Sequence, residues 1–429
     1  MSSESTPLLR NGRQNGDAPE RLSFTQRVVK AIKAEGEPSW LDSYKWFFFG
    51  SYTNILLLFV PLSAVAHHSN WDAALRFSFS FIGIVPLAKL LGDATENMSA
   101  SLGETLAGLL NASFGNAVEI IVGIAALMQN EIRIVQTSML GSILSNLLLV
   151  LGCSFLAAGF ERPESVFQVT AAQASSSLMT LACITLVIPA AYNSTMTGVK
   201  RGPEETAEKG LLIISRGTAV LLLFVYLAFL WFQLKSHAFL YSRDRRDVEH
   251  GSGSQSAASS QHGSQHEDEV EAEEEEPNMN LPSAALALFV VTVVTSFCAD
   301  YLIASIEETA ERYHIPKTFI GLILLPIVAN AAEHVTSIWM AMKDKMELTI
   351  TICVGSSIQI AAFVVPLLVI VGWITGHELT LYFADFETIC FFVSVLLVNT
   401  LIQDGKSNYM EGLLLVTLYF VIALAFWVS

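Results

Sequence analysis

The sequence predicts an all-α protein that crosses a membrane many times. Of its 429 residues 52% are hydrophobic and only 15% carry charge, and the mean hydropathy is +0.49. Soluble proteins of this length rarely have such a composition. Apolar runs of about 20 residues, enough to cross a ~30 Å hydrocarbon core as helices, recur along the chain. Because the runs are long and continuous rather than alternating, they exclude a β-barrel and predict a polytopic helical bundle.

Eleven transmembrane helices are predicted, one at the N-terminus followed by two groups of five. The predicted spans are 45–66, 74–97, 103–128, 133–158, 167–191, 211–234, 281–303, 317–342, 347–373, 384–402 and 409–428. The corresponding regions are a cytosolic N-terminal tail (1–44), an extra helix (45–66), a first repeat (72–234), a cytosolic low-complexity acidic linker (235–280) and a second repeat (281–429).

Charge on either side of the first span predicts the orientation. The first 44 residues are polar and show no cleavable signal peptide. Basic residues precede or border the first apolar run, which places the N-terminus in the cytosol. After eleven crossings the C-terminus would lie on the other side. The basic residues are Arg10, Arg13, Arg21, Arg27, Lys30, Lys33 and Lys45.

The linker between the two groups of spans has an unusual composition. Residues 251–266 are Gly, Ser, Gln, Ala and His, and 267–276 contain eight acidic residues. Such a segment is typical of a solvated spacer. Clustered carboxylates also attract Ca²⁺, so a low-affinity cation collector near the transport entrance is a second interpretation. The sequence leaves both open.

Two short segments repeat the same polar pattern inside apolar spans. They are FGNAVEII (114–121) and VANAAEHV (328–335). Each places a carboxylate, Glu119 or Glu333, three residues after an amide, Asn116 or Asn330. An isolated charge at the centre of a membrane helix costs at least ~3 kcal/mol. Accepting this cost twice, in matching contexts, indicates a functional site.

The match extends beyond the two motifs. Gly141-Ser142 follows Glu119 by 22 residues (141 − 119), and Gly355-Ser356 follows Glu333 by the same 22 (355 − 333). An amide follows each Gly-Ser pair, and an acidic residue precedes each motif glutamate. On the span count the two glutamates lie on the third and eighth helices, which cross in opposite directions. This predicts an inverted repeat with its site near the midplane. The flanking residues are Asn146, Gln359, Glu96 and Glu308.

The residue types predict the chemistry of this site. A spacing of three places each Asn and its Glu on one helical face. Two carboxylates, two amides and the hydroxyls of Ser142 and Ser356 form an all-oxygen set, which fits a hard cation, Ca²⁺ first and Mn²⁺ second. Gly115 permits local unwinding that frees backbone carbonyls. Burial and a neighbouring like charge favour the protonated carboxyl, so cation and proton would compete for the same groups. Alternating exposure of such a site gives antiport.

Three further polar residues are candidates for the entry path. Glu96 and Glu308 are expected near cavity mouths, as gates or proton relays, or as satisfied polar groups between helices. His334 points about 100° away from Glu333 on an ideal helix. It would orient a carboxylate, relay protons or only bond a nearby carbonyl.

GNAVE, ANAAEH, GSILSN and GSSIQ, with an acidic segment between two groups of five spans, resemble the cation/proton exchanger (CAX) family, in particular the vacuolar Ca²⁺/H⁺ exchangers of fungi and plants. The resemblance covers the chain from about Tyr44 onward and implies eleven helices, with Glu119 and Glu333 as the carboxylates that carry cation or protons. The second motif usually reads GNAAEH, and here Ala329 replaces the glycine, so its methyl group would narrow the backbone's approach to the ion. The supporting residues implied by the resemblance are Asn116, Asn330, Ser142, Ser356 and Gln359, with Glu96 and Glu308 on the entry paths.

The predicted function is antiport of cytosolic Ca²⁺, or Mn²⁺, for lumenal H⁺ across the vacuolar membrane, in calcium homeostasis. No cofactor is expected beyond the transported ions; the expected partners are Ca²⁺, H⁺ or Mn²⁺ and membrane lipid, and nucleic acid is not a predicted partner. The segment ESTPLL (4–9) resembles a dileucine sorting signal and favours the vacuole. A sodium-coupled calcium exchanger and a passive cation channel remain alternatives. An enzyme is not favoured, because no HExxH, GxSxG or phosphate-loop motif is present.

Overall fold

The computed structural model describes residues 38–102, 104–198, 204–236 and 278–428, which are almost entirely helical. The N-terminal tail with its basic residues, the segment ESTPLL and the acidic block of the linker lie outside the described residues. In chain order the elements are α1 (Trp40–Phe49), a 3₁₀ segment (Tyr52–Leu58), α2 (Phe59–His68), α3 (Ala73–Ala100), α4 (Glu104–Phe114), α5 (Ala117–Met128), α6 (Ile132–Leu144), α7 (Leu151–Glu161), β1 (Ser165–Val166), α8 (Val169–Gly198), α9 (Glu204–Trp231), α10 (Leu281–Tyr313), α11 (Lys317–Phe319), α12 (Leu325–Ala329), α13 (Ala331–Met342), α14 (Met346–Gln359), α15 (Val365–Thr375), α16 (Asp385–Leu401), β2 (Lys406–Ser407) and α17 (Tyr409–Val428). Short π-helical segments are Ser145–Val150, Phe232–Ser236, Ile320–Leu324 and Ile360–Val364.

The helices confirm the polytopic all-α class. Within the described residues seven are long and apolar enough to cross a membrane, and three bent pairs raise the number to as many as ten. The predicted span 384–402 corresponds to α16, which has only 17 residues and is not among these ten. The total of eleven therefore stays a prediction.

The first span is not one straight helix. Its two parts, α1 and the segment from Tyr52 to His68, meet at 85°. The Asn54 side chain donates to the carbonyls of Phe47 (2.9 Å) and Phe48 (3.1 Å), which have lost their helical partners. These bonds satisfy the end of α1, so the sharp turn leaves few buried polar groups without a partner.

Two equivalent helices of the two halves begin and end at equivalent residues. The continuous helices Ile132–Glu161 and Met346–Thr375 each have 30 residues, and each contains a π-helical segment. They are displaced by 214 residues (346 − 132), the same displacement that relates Glu119 to Glu333 (333 − 119). Single π turns widen a helix locally and occur often at functional sites.

Both glutamate motifs lie at breaks in helices. The α4–α5 pair bends by 44° around Gly115 and Asn116, where the sequence predicts unwinding. The second pair bends by 58° at Asn330, and Ala329 is the last residue of α12. The methyl group of Ala329 thus does not prevent the break, because the non-helical backbone falls on the asparagine (φ −89°, ψ 11°).

We call the side of the bundle where α9 ends and α10 begins the linker face, and the opposite side the distal face. On the linker face the Met279 N–H donates to Asn97 near the end of α3 (3.1 Å). There β1 pairs antiparallel with β2, and a hydrogen bond with Glu164 (2.6 Å) raises the pKa of Lys406. Through the interior, α3 and α10 pack along each other. Their distal ends are joined by the ion pairs Arg76–Glu308 and Asp72–Arg312.

A buried carboxylate stabilises the distal end of α16. Glu387 is 1% exposed, accepts the N–H of Ala384 (3.0 Å) and pairs with Arg133 of α6 (2.5 Å). We expect Glu387→Ala to destabilise the protein by about 1–3 kcal/mol, because it leaves the part-buried N–H of Ala384 without its acceptor and removes the ion pair with Arg133. Thermal unfolding in detergent would measure this. Glu164→Ala, which breaks an exposed ion pair, is the control and should leave the midpoint unchanged. Equal shifts for the two variants would contradict this role of Glu387.

Candidate functional site

A cavity of ~650 Å³, measured with its open mouth, separates the two broken helices and contains both motif glutamates. Glu119 is 4% exposed, and Glu333 is partly exposed on the cavity wall. The cavity is lined by Ala88, Leu91, Gly92, Phe114, Gly115, Ala117, Val118, Glu119, Ala329, Ala332, Glu333, Thr336 and Ile352.

The lining shows that the two broken helices run in opposite directions. Phe114 and Gly115 precede Glu119 in the chain, whereas Thr336 follows Glu333, and all three line the same cavity. The cavity therefore opens towards the linker face, where α4 begins and α13 ends. This geometry agrees with the inverted repeat that the sequence predicts.

Each glutamate occupies the same position in its half-helix. Glu119 is the third residue of α5, and Glu333 is the third residue of α13. The first N–H groups of a helix have no partner within the helix, and its N-terminus carries a partial positive charge. Breaking the two helices at the motifs therefore places each carboxylate where the backbone itself favours an anion.

A chain of hydrogen bonds joins the amides and a hydroxyl of the two halves. Asn116 donates to Gln359 (2.6 Å) and accepts from Ser356 (2.9 Å), whose hydroxyl in turn accepts from Asn146 (3.0 Å). Partners in this chain are more than 200 residues apart in sequence. The structure thus brings together Asn116, Ser356 and Gln359, and adds Asn146 to the group.

Several oxygens in the site have no donor. Oε2 of Glu333 has no hydrogen-bond partner among the described residues. The same holds for Oδ1 of Asn146 and Oδ1 of Asn330. A buried acceptor without a partner costs about 1–3 kcal/mol. Carboxylate and amide oxygens are the ligands that hard divalent cations prefer, and a cation bound here would offset this cost.

The side chain of Asn330, in the second repeat, contacts a backbone carbonyl of the first repeat. Asn330 is fully buried, and its side-chain amide approaches the carbonyl of Ser142 at 3.4 Å. Ser142 itself lines a second, smaller cavity. Among the described residues no three His, Cys, Asp or Glu side chains converge on one point. A cation would therefore depend on two carboxylates with amide, hydroxyl and water oxygens.

His334 bonds a nearby carbonyl, one of its three predicted roles. Its Nδ1 lies 2.9 Å from the Asn330 oxygen, to which the ring donates. That oxygen also accepts the backbone N–H of His334 at 2.9 Å. The Asn330 carbonyl is thus already bonded within α13 and the ring adds a second bond to it, while the ring Nε2 has no partner among the described residues.

The two candidate gate residues lie on opposite faces. Glu96 is exposed on α3, one turn beyond the cavity-lining Gly92 and nearer the linker face, a position at the cavity mouth. Glu308 lies near the distal end of α10 and pairs with Arg76. Glu308 is therefore a paired interhelical group, the alternative that the sequence left open.

A second, smaller cavity of ~310 Å³ lies on the distal side of Glu119. Glu119, Val118 and Ala329 line both cavities. Ser138 and Ser142 supply the hydroxyl groups, and most other lining side chains are apolar. The lining residues are Ile84, Val118, Glu119, Val122, Ser138, Met139, Ser142, Leu302, Leu325, Pro326, Val328 and Ala329.

Thr336 is a site residue that the sequence analysis missed. It lines the large cavity one turn after Glu333 on the same helix face. Its i+3 spacing from the glutamate was the available signal. Asn146 was noted only as an amide behind the Gly-Ser pair, and its bond to Ser356 depends on how the two halves pack.

Comparisons with known proteins agree with this geometry. A model of the sodium/calcium exchanger protein family matches residues 73–235 and 283–428. The chain is 44% identical over 377 residues to the vacuolar calcium ion transporter of Schizosaccharomyces pombe, covering 88% of this chain and 85% of that protein. It is 40% identical over 372 residues to a Ca²⁺/H⁺ antiporter of Aphanothece halophytica, covering 87% and 95%.

A solved structure also resembles this fold. The native structure of YfkE superimposes with a TM-score of 0.70 at 31% identity, covering 88% of this chain and all of that one. A crystal structure of an H⁺/Ca²⁺ exchanger, CAX, has a TM-score of 0.60 at 11% identity and covers 91% of this chain and 93% of that one. The second likeness concerns the fold alone.

Comparison of two adjacent serines on α14 distinguishes a role in the site from a role in packing. Ser356 belongs to the hydrogen-bond chain, whereas the Ser357 hydroxyl bonds only the Cys353 carbonyl of its own helix (2.8 Å). We expect Ser356→Ala to weaken Ca²⁺ binding about tenfold, because it removes bonds that orient Asn116 and Asn146. Ser357→Ala should change it less than about twofold. Equilibrium binding of ⁴⁵Ca²⁺ to purified protein would measure both, and equal effects would contradict the assignment.

Proposed function

The chain belongs to the sodium/calcium exchanger protein family, and from that membership and its two opposed carboxylates we propose that it exchanges Ca²⁺ for protons by alternating access. Its relatives include proteins named as vacuolar calcium ion transporters and as a Ca²⁺/H⁺ antiporter. The proposed location is the vacuolar membrane, with the linker face in the cytosol. Calcium homeostasis is the proposed physiological role.

The observation that carries this proposal is the charge balance of the site. Glu119 and Glu333 share one cavity, and no lysine or arginine is among the described side chains that line either cavity. Two carboxylates in an apolar interior cannot both stay charged without compensation. A divalent cation or protons can supply it, and each excludes the other. Loading with Ca²⁺ and loading with protons are then alternative states of one site.

The two cavities lie on opposite sides of Glu119, and in this state only the large one would give ions access to the site. The large cavity would admit cytosolic Ca²⁺ to the carboxylates. The small distal cavity, lined mostly by apolar side chains, would separate them from the lumen in this state. When the site opens to an acidic lumen, protons would displace the cation, and the protonated site would return. Proton exit thus drives Ca²⁺ into the lumen, because neither ion can move through without occupying the same groups.

The roles of individual residues follow from their contacts. Glu119 and Glu333 would carry cation or protons. Asn116, Ser356 and Gln359, together with Asn146, would orient the ligands, while Asn330 would supply its free Oδ1. His334 would stabilise the first turn of α13 through the bond from its ring to the Asn330 carbonyl. The same hard oxygen set would accept Mn²⁺ as a secondary substrate.

Sodium-coupled calcium exchange is the second candidate, because the matching family model is described as sodium/calcium exchanger protein. Both candidates use the same fold, so the coupling ion has to be measured. A passive channel would carry Ca²⁺ without either gradient.

We expect Ca²⁺ uptake into proteoliposomes with an acidic interior and no sodium, and we expect Glu119→Gln and Glu333→Gln each to abolish it. Each variant removes a group that has to carry both ions. Uptake of ⁴⁵Ca²⁺, with a protonophore to collapse the gradient, measures this. Glu164→Gln, an exposed carboxylate outside the cavity, is the control and should transport normally. Uptake that needs sodium would favour the second candidate, and uptake indifferent to both gradients would favour a channel.

Competition for the same carboxylates also predicts a pH effect with a definite sign. Lowering the pH on the linker side should raise the Ca²⁺ concentration needed for half-maximal uptake, by up to about tenfold per pH unit for each competing proton. The rate at saturating Ca²⁺ should change little while the gradient is held constant. Initial rates at several outside pH values test this. A fall in the maximal rate alone would show that protons act elsewhere.

A further inference from the structure

A polar groove outside the proposed transport path lies at the linker face, between the start of α8 and the end of α16. Measured with its open mouth, it has a volume of ~740 Å³. Helix α8 belongs to the first repeat and α16 to the second, so a ligand in the groove would contact both repeats. The lining residues are Ala172, Gln173, Ser176, Ser177, Leu396, Asn399, Thr400, Ile402 and Gln403.

Contacts at both ends of the groove link its two helices. At the outer end, beside β1 and β2, the Phe167 N–H donates to the Gly405 carbonyl (2.9 Å). Gly405 has a φ of +74° and lies so close to Val169 that an added Cβ would come within 2.4 Å of that side chain. At the inner end the Asn399 amide donates to the Thr180 hydroxyl (2.6 Å). The groove is therefore formed by the protein itself and does not need a ligand to hold it open.

The groove offers hydrogen-bonding groups without charge. Among the described side chains that line it none is charged, three are amides and three carry a hydroxyl. The side-chain amides of Gln173 and Gln403 bond no other group of the described protein. An amide both donates and accepts, and so does each hydroxyl group of a sugar. The lining therefore suits a ligand that carries several hydroxyl groups.

The charges just beyond the groove disfavour an anionic ligand. Lys406, in β2, is already paired with Glu164 (2.6 Å). Asp404 accepts the backbone N–H of Lys406 (3.1 Å) and adds a negative charge next to Gln403. A phosphate group here would have to compete with these carboxylates for the lysine. A neutral headgroup meets no such competition.

Towards the centre of the bundle both helices continue the groove with exposed apolar side chains. Residues three and four apart lie on one helix face, so the polar positions of each helix lead into an apolar stripe. From Gln173 to Ser177 the polar part extends about 6 Å along α8, which is about the depth of one interfacial layer of a bilayer. The apolar stripes, 42–60% exposed, are Leu181, Ile184 and Ile188 of α8 and Leu396, Val393 and Ile389 of α16.

We propose that this groove binds one lipid molecule with a neutral sugar headgroup, taken from the leaflet on the linker side. The sugar hydroxyls bond Gln173, Ser177 and Gln403, and the acyl chains lie along the two apolar stripes. A soluble sugar would leave the stripes without a partner, and a lipid without hydroxyl groups would leave the free amides unbonded. Because the lipid contacts both repeats in the folded protein, its binding also stabilises the fold.

The headgroup selectivity of the native protein tests this proposal. Delipidated protein, in a detergent that has no sugar headgroup to compete, would be mixed with glucosylceramide, with sphingomyelin of the same chains, or with phosphatidylinositol. Retained lipid would be counted by mass spectrometry, and thermal unfolding would be followed in parallel. We expect about one glucosylceramide per protein, bound about tenfold more tightly than sphingomyelin, and a higher unfolding temperature.

Three results would overturn the proposal. Equal retention of all three lipids would show an unselective lipid layer. Tighter binding of phosphatidylinositol than of glucosylceramide would show recognition of an anionic headgroup. Stabilisation by free glucose, without retention of glucosylceramide, would show a site for a soluble sugar. None of these measurements involves transport, so their outcome is independent of the proposed function.

A double variant assigns the binding to this groove. Gln173→Leu combined with Gln403→Leu removes both free amides, so glucosylceramide should bind about tenfold more weakly or less, while sphingomyelin binding should stay the same. Thr185→Leu is the control and should keep the native selectivity, because Thr185 of α8 lies outside the lining and its hydroxyl bonds carbonyls of its own helix (3.0 and 2.8 Å). Native selectivity in the folded double variant would overturn the assignment. If the double variant does not fold, the selectivity of the native protein still decides the proposal.

Discussion

Two carboxylates without a cationic side chain, held in the interior of a membrane bundle, are the constraint on which the rest of the structure depends. Glu119 and Glu333 line one cavity, and its described lining contains no lysine or arginine. Their charge has to be balanced by something that enters from outside the protein. In the proposed mechanism the site is therefore either loaded with a cation or protonated. The broken helices, the chain of hydrogen bonds and the two cavities are all arranged around these two carboxylates.

The breaks in the helices lower the free-energy cost of burying these two carboxylates. A continuous helix would leave each glutamate beside backbone groups that are already bonded, whereas a half-helix presents its free N–H groups and positive end to the carboxylate. In each half the asparagine carbonyl at the break accepts the backbone N–H four residues later, and the two halves differ in one further contact. His334 bonds the Asn330 carbonyl through its ring, but Ile120 stands at the equivalent position in the first half, 214 residues earlier. The site is therefore symmetric in its carboxylates and asymmetric in the backbone around them.

Hydropathy predicted the helices well where a span is straight and uniformly apolar. The predicted spans 133–158 and 347–373 fall inside the observed helices Ile132–Glu161 and Met346–Thr375. The 85° bend of the first span was not predicted, because it depends on Asn54 bonding the end of α1. Matched spacing predicted a site containing Glu119 and Glu333, and both line the large cavity. It could not predict that Ser356 bonds Asn116, or that Arg76 pairs with Glu308, since these contacts require the packing of segments far apart in sequence.

The most direct test of the central claim is to count protons when Ca²⁺ binds. Purified protein in weakly buffered detergent solution would be titrated with Ca²⁺ while a pH indicator reports released protons. If both ions use the same carboxylates, binding near neutral pH should release protons, and Glu119→Gln should release fewer or bind no Ca²⁺. Tight Ca²⁺ binding with no proton release across the pH range would contradict the account.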